Sequence, residues 1–285
     1  SIEPRVSFRY KTSAISSIKG GYSKTSQFIN QLFNSDSPTP ISQWQLSKPN
    51  LRPLKGDTYS LGYFQTSTGD IWEFSTEVYF RKVHHLYDYK DFASLILNRQ
   101  IETEILYGKG RAYGIEWSVK KKEGIVHGSL SYHLSRTERL ISGINKGNWY
   151  PSNFDKPHDL SILINYQPNR RNTLSFNFVY ASGRPTTTPG GNFQLENGLV
   201  VPVYYSRNQD RIPDYHRIDV SYTIGQSYKR DQKVRTSWTI SVYNIYGRRN
   251  AFSVFYTTAA FRQIEGKKLS ILGNAFPSIT FNIDI

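Results

Sequence analysis

The 285-residue sequence contains no cysteine and no methionine. Without cysteine it cannot form a disulfide, a thiol nucleophile, or a cysteine-ligated metal or iron–sulfur centre. The lack of methionine leads us to expect that Ser1 follows a cleavage or truncation, and no signal peptide is visible. Long apolar runs are also missing, because no stretch approaches the roughly 18 residues that a membrane-spanning helix needs. The sequence therefore excludes thiol chemistry and helical insertion into lipid.

Aromatic side chains are abundant in a chain that is otherwise polar. Hydrophobic residues make up only 38% of the sequence, yet 15% of it is aromatic, with 21 Tyr and 16 Phe, and the mean hydropathy is −0.54. A disordered chain would lack the aromatic residues. A barrel with an apolar outside, a wet inside and an aromatic girdle at each interface accounts for both numbers. Only such a closed barrel could span lipid without helices.

The net charge is +14, from 36 Lys and Arg against 22 Asp and Glu. The basic residues are scattered along the chain and do not form the clustered stripe that follows a phosphate backbone, so we do not expect nucleic acid as a partner. Lining of a lumen, and contacts with anionic outer-leaflet lipid or an anionic solute, fit the dispersed pattern better.

Alternation of apolar and polar side chains is the dominant pattern. Between positions 111 and 120, for example, Tyr113, Ile115 and Trp117 fall on one face, and Gly114 and Glu116 fall on the other. Segments of this kind predict eleven strands, at 4–12, 15–29, 58–67, 71–89, 111–121, 125–139, 159–167, 172–182, 215–225, 233–252 and 269–285. The fold class is therefore all-β.

The connections between these strands alternate strictly in length. Short links lie near 12–14, 68–70, 121–124, 168–172 and 225–232, and long links lie near 32–57, 91–110, 141–157, 184–215 and 254–268. Short periplasmic turns and long extracellular loops are typical of outer-membrane barrels, whereas a Greek-key sandwich gives no reason for the alternation. Because bacterial single-chain barrels have an even strand count, we expect the other strands to come from the same gene or from a second chain.

Several segments resemble, in order and spacing, consecutive strands in the second half of TonB-dependent receptors. They are PRVSFRY at 4–10, YSLGYF at 59–64, GKGRAYGIE at 108–116, LSRT at 134–137, WYP at 149–151, HDL at 158–160, PDYHRID at 213–219 and VYNIY at 242–246. The resemblance covers essentially the whole chain. It implies a transmembrane antiparallel β-barrel of 22 strands, of which residues 1–285 form the C-terminal portion with about eleven strands.

The resemblance also implies a function and a set of partners. The family imports a solute across the cell outer membrane, with a plug domain in the barrel and a short box on the plug that engages TonB. Expected partners are therefore outer-membrane lipid, the remaining strands and plug domain, TonB through the plug, and a surface lipoprotein. We expect no enzyme activity and no cofactor. The sequence departs from the family in lacking the plug and its box, and in ending with Ile285 where an aromatic residue is usual.

Two other interpretations remain open at the level of sequence. An outer-membrane barrel could act as the anchor or a subunit of a surface binding or assembly complex without transporting anything. A soluble all-β carbohydrate-binding module would also alternate apolar and polar residues, since periodicity alone does not say which face is dry.

The candidate contacts for a solute lie in two of the long loops. The loop at 184–215 carries Tyr204, Tyr205 and Arg207 after a predicted hairpin through Glu196-Asn197-Gly198. The loop at 141–157 carries Trp149 and Tyr150. Loops of this length are usually functional, and aromatic and arginine side chains stack well on sugars or planar chelates. We therefore predict that these five residues contact the substrate.

The sequence favours neither a metal site nor a catalytic site. His84 and His85 are neighbours on a strand and point to opposite faces, while His127 and His133 lie roughly 20 Å apart. The densest acidic cluster is formed by Asp210, Asp214, His216 and Asp219. We interpret these residues as groups that satisfy backbone hydrogen bonds where a loop re-enters a strand.

Overall fold

The computed structural model describes residues 2–34, 41–91, 93, 98, 100–198, 200–225, 234–258 and 264–284. Within these residues the chain forms twenty strands and two short 3-10 helices, at Ile101–Glu104 and Asn145–Gly147. The strands are β1 Arg5–Lys11, β2 Ser16–Gln27, β3 Ile29–Asn34, β4 Ile41–Leu46, β5 Leu54–Thr66, β6 Trp72–Tyr89, β7 Ile105–Lys121, β8 Val126–Ile141, β9 Tyr150–Pro151, β10 His158–Asn169, β11 Asn172–Ala181, β12 Pro185–Thr186, β13 Gly191–Gln194, β14 Val200–Val203, β15 Asp210–Arg211, β16 Tyr215–Gly225, β17 Arg235–Tyr243, β18 Ala251–Thr258, β19 Ile264–Ser270 and β20 Phe276–Asp284. No helix in this part of the chain is long and apolar enough to cross a membrane.

Eleven of these strands form one antiparallel sheet, in the order β1-β2-β5-β6-β7-β8-β10-β11-β16-β17-β20. The strands therefore follow one another in the sheet as they do along the chain, and the short strand β9 pairs with the end of β8. This confirms the predicted all-β fold with eleven strands in the main sheet. It also confirms that turns lie at one end of the sheet and long loops at the other.

The long loops contain hairpins of their own. β3 pairs with β4, β13 with β14, β18 with β19, and β12 with β15. The hairpin predicted through Gly198 is confirmed, since this glycine has a φ of +85° in the turn between β13 and β14. These pairings satisfy backbone groups that would otherwise need partners in a loop.

Two predicted strands are wrong in their extent. The segment 233–252 breaks after Tyr243 because Asn244 adopts a φ of +54° and donates its side-chain Nδ2 to the carbonyl of Arg248. The segment 269–285 breaks because its beginning belongs to β19, which pairs with β18 in a loop hairpin. Alternation was a correct signal for strand in both segments, but it did not reveal which strands pair in the main sheet.

The register of the main sheet places apolar residues in rows on one face, which we call the apolar face. Leu61, Val78, Ile115 and Leu134 lie opposite one another in one row. Another row holds Phe74, Val119, Leu130, Ile162, Phe178 and Ile218. The other face, which we call the polar face, carries rows such as Ser75, Ser118, Ser131 and Ser161.

The apolar face is not covered by a second layer in the described structure. Leu61 is 50% exposed, Val78 46% and Leu134 39%, so these side chains do not meet across a dry sandwich. The clusters of buried apolar residues lie at the long-loop end instead, with Tyr87 and Ile105 in one, and Ile141 and Tyr150 in another. The sandwich expected of a soluble module is therefore not the observed architecture.

Aromatic side chains mark both ends of the apolar face. Near the long loops, Tyr22, Tyr59, Phe80 and Tyr113 form one row across four strands. Near the turns, Trp72 stacks with Phe74, and between the two ends Trp117 stacks with Tyr132 at 5.7 Å between ring centroids. Trp72 and Phe80 are eight residues apart on β6, or about 26 Å along a strand. Because strands of outer-membrane barrels tilt by about 40°, this length covers about 20 Å of height, slightly less than the apolar band of about 25 Å.

Candidate functional site

Charged side chains are buried where the long loops meet. We call this region the loop platform (residues 87–91, 136–157, 182–188 and 204–214). Its centre is Asp88, at the loop end of β6, which is 3% exposed. Arg139 from β8 reaches the Asp88 carboxylate at 3.3 Å, and Arg207 reaches it at 3.4 Å from the far loop. The Tyr150 hydroxyl donates to the same carboxylate at 3.2 Å. One carboxylate therefore joins three separate segments of the chain.

A second buried carboxylate repeats this arrangement. Asp155 is fully buried, accepts a hydrogen bond from the Thr137 backbone N–H at 2.6 Å, and forms an ion pair with Arg211. The Arg211 guanidinium also donates to the carbonyls of Asp155 and Gly183, at 3.0 and 2.9 Å. Buried charges are stable only when they are paired and hydrogen-bonded in this way.

Backbone contacts complete the loop platform. Asn145 donates its Nδ2 to the Arg207 carbonyl at 2.9 Å and accepts from the Arg207 backbone N–H at 2.7 Å. Gly183 lies so close to Ile212 that an added Cβ would be 1.6 Å from the Ile212 carbonyl oxygen. Only glycine fits where these two backbone segments cross. Together, these contacts hold the loops in one arrangement.

Two of the five predicted contact residues lie inside the loop platform. Tyr150 is 2% exposed, and burial, together with the nearby Asp88 carboxylate, raises its pKa. It therefore stays a hydroxyl donor at neutral pH. Arg207 is 8% exposed, pairs with Asp91 at 2.6 Å, and lies over the Tyr89 ring at 4.3 Å. Their contact with a solute stays a prediction. In the structure, both residues connect loops through hydrogen bonds or ion pairs.

The other three predicted residues do not form one cluster. Tyr205 is 69% exposed, Tyr204 is 36% exposed, and the Tyr205 ring lies against the backbone of Gly190. Trp149 lies elsewhere, with the Arg111 guanidinium 4.2 Å from its ring centroid. Arg111 is on the apolar face, because it lies two residues from Tyr113 on β7. The five residues therefore form a buried pair, an exposed pair and a separate tryptophan on the outer side.

The structure contains a cavity that the sequence did not reveal. It measures about 660 Å³ and opens beside the loop platform. Its lining is mainly apolar, including Ala181, Ile212 and Phe252, and it also contains the basic residues Lys156 and Arg184. Arg184 is fixed by donating to the Phe252 carbonyl at 2.6 Å. These residues come from four different loops and strand ends, so no local pattern in the sequence could have identified them together.

The interpretation of the acidic cluster holds for Asp214. Its carboxylate accepts a hydrogen bond from the Gly183 backbone N–H at 2.8 Å and from the Tyr180 hydroxyl at 2.7 Å. These two donors, the backbone N–H first, hold the pKa of Asp214 below its usual value. Asp219 likewise accepts from the Asn244 backbone N–H at 2.9 Å. Both carboxylates satisfy backbone groups at strand ends, as predicted.

Two of the six histidines lie near single carboxylates. His84 lies 3.4 Å from Asp57, and His133 lies 3.6 Å from Glu116. In the part of the chain that the structure describes, no group of three or more histidine, aspartate or glutamate side chains is placed to hold a metal ion.

Comparison with known proteins fits this architecture. A family model described as "TonB dependent receptor-like, beta-barrel" matches residues 2–245. The chain belongs to the TonB-dependent receptor family. It is therefore part of an outer-membrane β-barrel, and the predicted family, fold and location are confirmed. TonB-dependent receptors are receptors and transporters, not enzymes. No curated protein matches the sequence.

Solved TonB-dependent receptors superpose on nearly the whole chain. The ferric-catecholate import receptor Fiu from K12 E. coli aligns with a TM-score of 0.59 at 12% identity, over 98% of this chain and 34% of Fiu. The ferripyoverdine receptor of Pseudomonas aeruginosa aligns at 0.58 and 13%, over 99% of this chain and 32% of the receptor. The ferric citrate transporter FecA aligns at 0.61 and 13%, over 99% and 38%. The chain thus spans about a third of the length of these receptors.

Proposed function

We propose that this chain forms part of the barrel and the extracellular loops of an outer-membrane receptor that imports a solute in a TonB-dependent manner. The observation that carries the proposal is the loop platform, which fixes an array of long loops at one end of a barrel sheet of this family. A rigid rim around a polar interior suits capture of a solute outside the cell. Nothing in this role requires a bond to be made or broken, so we propose no enzyme activity.

The remaining barrel strands and the plug are proposed to lie outside these 285 residues. In the described structure β1 pairs on one side only, with β2, and β20 pairs on one side only, with β17. Open strand edges are templates for further pairing. We propose that strands from the rest of the protein, or from a second chain, meet both edges and complete a barrel of 22 strands.

Two carboxylates on the polar face support the proposal that a plug fills the barrel. Glu77 and Glu116 lie directly opposite each other on β6 and β7. Glu116 has His133 at 3.6 Å, whereas Glu77 has no ion-pair partner in the described residues. Like charges in directly opposite positions destabilise a sheet. We propose that a basic side chain of the plug binds this pair and that docking of the plug removes the repulsion.

For solute contact, the proposal rests on the exposed part of the platform and the adjoining cavity. Tyr204 and Tyr205 offer exposed rings to a solute. Trp149, whose ring lies beside Arg111 on the outer side, remains a contact predicted from the sequence only and is not part of this site. Tyr150 and Arg207 serve this site by holding the loops in place. The iron chelates carried by Fiu, the ferripyoverdine receptor and FecA are candidates, but identities of 12–13% support the fold alone.

An unbiased uptake experiment tests the proposed function. The native strain, a deletion of the gene that contains this chain, and a variant lacking the TonB-engaging box would be grown in the same complex medium, and spent media would be compared by mass spectrometry. We expect at least one solute to be consumed by the native strain and to remain in the medium of both mutants.

If the three strains deplete the medium identically, the transport proposal is wrong. Loss of a surface lipoprotein from the deletion strain, with unchanged uptake, would instead support an anchoring or assembly role. Depletion that needs the gene but not the box would contradict the dependence on TonB.

A further inference from the structure

Basic side chains gather on the outer side of the barrel near the long loops. We call this group the basic patch: Lys24, Lys55, Lys82, Lys109 and Arg111. The register aligns Lys24, Asp57, Lys82, Arg111 and Glu138 in one row. Lys55, His84 and Lys109 form the next row towards the loops. The basic patch therefore spans strands β2, β5, β6 and β7.

Both rows are on the apolar face. Lys82 lies two residues from Phe80 on β6, and its Nζ is 5.8 Å from the Phe80 ring centroid. Arg111 stands in the same relation to Tyr113, at 5.9 Å. Phe80 and Tyr113 belong to the aromatic row that ends the apolar band. The basic patch thus begins where the hydrocarbon ends, at the depth of lipid headgroups.

The cations of the basic patch outnumber the local anions. Its two neighbouring carboxylates are both engaged: Glu138 pairs with Arg111 at 2.7 Å, and Asp57 accepts from the Tyr22 hydroxyl at 2.7 Å and lies near His84. In the described structure none of the four lysines of the patch has a carboxylate within ion-pair distance. Five cations against two engaged carboxylates leave a positive surface that lacks its counter-anion.

Trp149 extends the basic patch towards the loops. Its ring lies 4.2 Å from the Arg111 guanidinium and 6.0 Å from the Lys109 Nζ. An indole at a membrane interface buries its apolar body and keeps its N–H in the polar layer. Its stacking on Arg111 holds the guanidinium at the edge of the patch, facing outward.

We propose that the basic patch binds the phosphate-bearing headgroup of an outer-leaflet lipid. The ligand must be a lipid because these residues face the bilayer outside the barrel, where an imported solute or a plug does not pass. Phosphate oxygens match clustered ammonium and guanidinium donors, and acyl chains would lie against Phe80 and Val78 below. The same face changes character at the aromatic row. On the loop side of this row the outward positions are basic, whereas on the side of the turns they hold Leu61, Val78 and Ile115. This change supports a phosphate-bearing headgroup above and acyl chains below.

The inference rests on the outer-membrane location and not on transport, so the two proposals fail independently. The test uses the full-length receptor in non-ionic detergent and native mass spectrometry, which counts bound lipids. The probe is a bisphosphorylated, acylated glucosamine disaccharide, and the comparison lipid is the same molecule without its phosphates. We expect the native receptor to retain the phosphorylated lipid and to lose the dephosphorylated one.

The variant Lys55→Gln, Lys82→Gln, Lys109→Gln removes three charges from the basic patch. Retention should fall by about a hundredfold, since each lysine near an anionic surface contributes roughly a factor of five. The matched control Lys11→Gln, Lys267→Gln, Lys268→Gln removes three charges elsewhere and should retain lipid normally. Replacement of the same three patch lysines by arginine keeps the positive charge and should preserve binding.

Three results would overturn the proposal. The glutamine variant could bind as well as the native receptor, the control triple could lose the lipid equally, or the dephosphorylated lipid could be retained as strongly. The first two outcomes would mean that these lysines form no site, and the third would mean that acyl packing alone accounts for retention.

Discussion

At the scale of single residues, burial separates side chains of the same type into different roles. Tyr150 and Tyr205 belong to neighbouring loops, yet one is 2% and the other 69% exposed. Arg207 is buried among carboxylates, whereas Arg111 stacks on Trp149 at the outer rim. The sequence correctly drew attention to aromatic and arginine residues in these loops. It could not predict their depth, because long loops have no periodicity from which an inner face can be inferred.

The buried carboxylate of Asp88 gives the first prediction. Asp88→Asn leaves Arg139 and Arg207 without their anion, and breaking a buried pair typically costs about 3–5 kcal/mol. We expect amide hydrogen exchange in 142–157 and 204–213 to accelerate strongly, while exchange in the strands of the main sheet stays unchanged.

The matched control is Asp91→Asn. Asp91 pairs with the same Arg207, but its side chain is 57% exposed, so the loss should be about 1 kcal/mol or less. Equal exchange rates in the Asp88 variant and the native protein would show that the loop platform does not depend on this carboxylate.

At the scale of elements, strands were predictable and their partners at the loop end were not. Alternation located all eleven strands of the main sheet, because each must present one face to an apolar and one to a polar medium. The hairpin of β18 and β19 alternates in the same way but pairs only with itself. The chain leaves β17 at Asn244, whose left-handed backbone is not visible in the alternation of the residues around it.

The loop element after β11 gives the second prediction. In Gly183→Ala the new Cβ would collide with the backbone of Ile212, and overpacking of this kind costs about 1–3 kcal/mol. Limited trypsin digestion should cleave the loop at 184–213 faster than in the native receptor. Gly21→Ala is the control, because its nearest contact would be an ordinary 3.6 Å. Identical cleavage of both variants would contradict the close crossing.

At the scale of the whole molecule, the two faces of the sheet meet different partners. The apolar face has exposed aliphatic side chains and aromatic rings. The polar face has serines and the opposed carboxylates of Glu77 and Glu116. Alternation alone could not say which face was dry. The absence of any covering layer over the apolar face in the described structure, together with the family match, decides the matter in favour of lipid.

The opposed carboxylates give the third prediction, which concerns the plug. In the full-length receptor, Glu77→Gln with Glu116→Gln removes the proposed charged contacts, each of which is worth about 1.5–3 kcal/mol. Plug release, measured as urea-induced conductance in planar bilayers, should occur at a lower urea concentration than in the native receptor. Glu73→Gln, which alters a carboxylate paired with Lys122 near a turn, should leave the threshold unchanged. A threshold that is also unchanged in the double variant would show that the plug does not use this pair.

The most direct test of the account is which face touches acyl chains. These 285 residues contain no cysteine, so after replacement of any cysteine elsewhere in the receptor, nitroxide labels can be placed singly from position 74 to 80 of β6 in the receptor reconstituted in a bilayer. Labels at Phe74, Val78 and Phe80 should be accessible to dissolved oxygen and shielded from a water-soluble nickel complex, while labels at Ser75, Glu77 and Tyr79 should show less oxygen access. Membrane residence would be contradicted if the access of oxygen and of the nickel complex did not alternate along β6. It would also be contradicted if the nickel complex reached the labels on the apolar face.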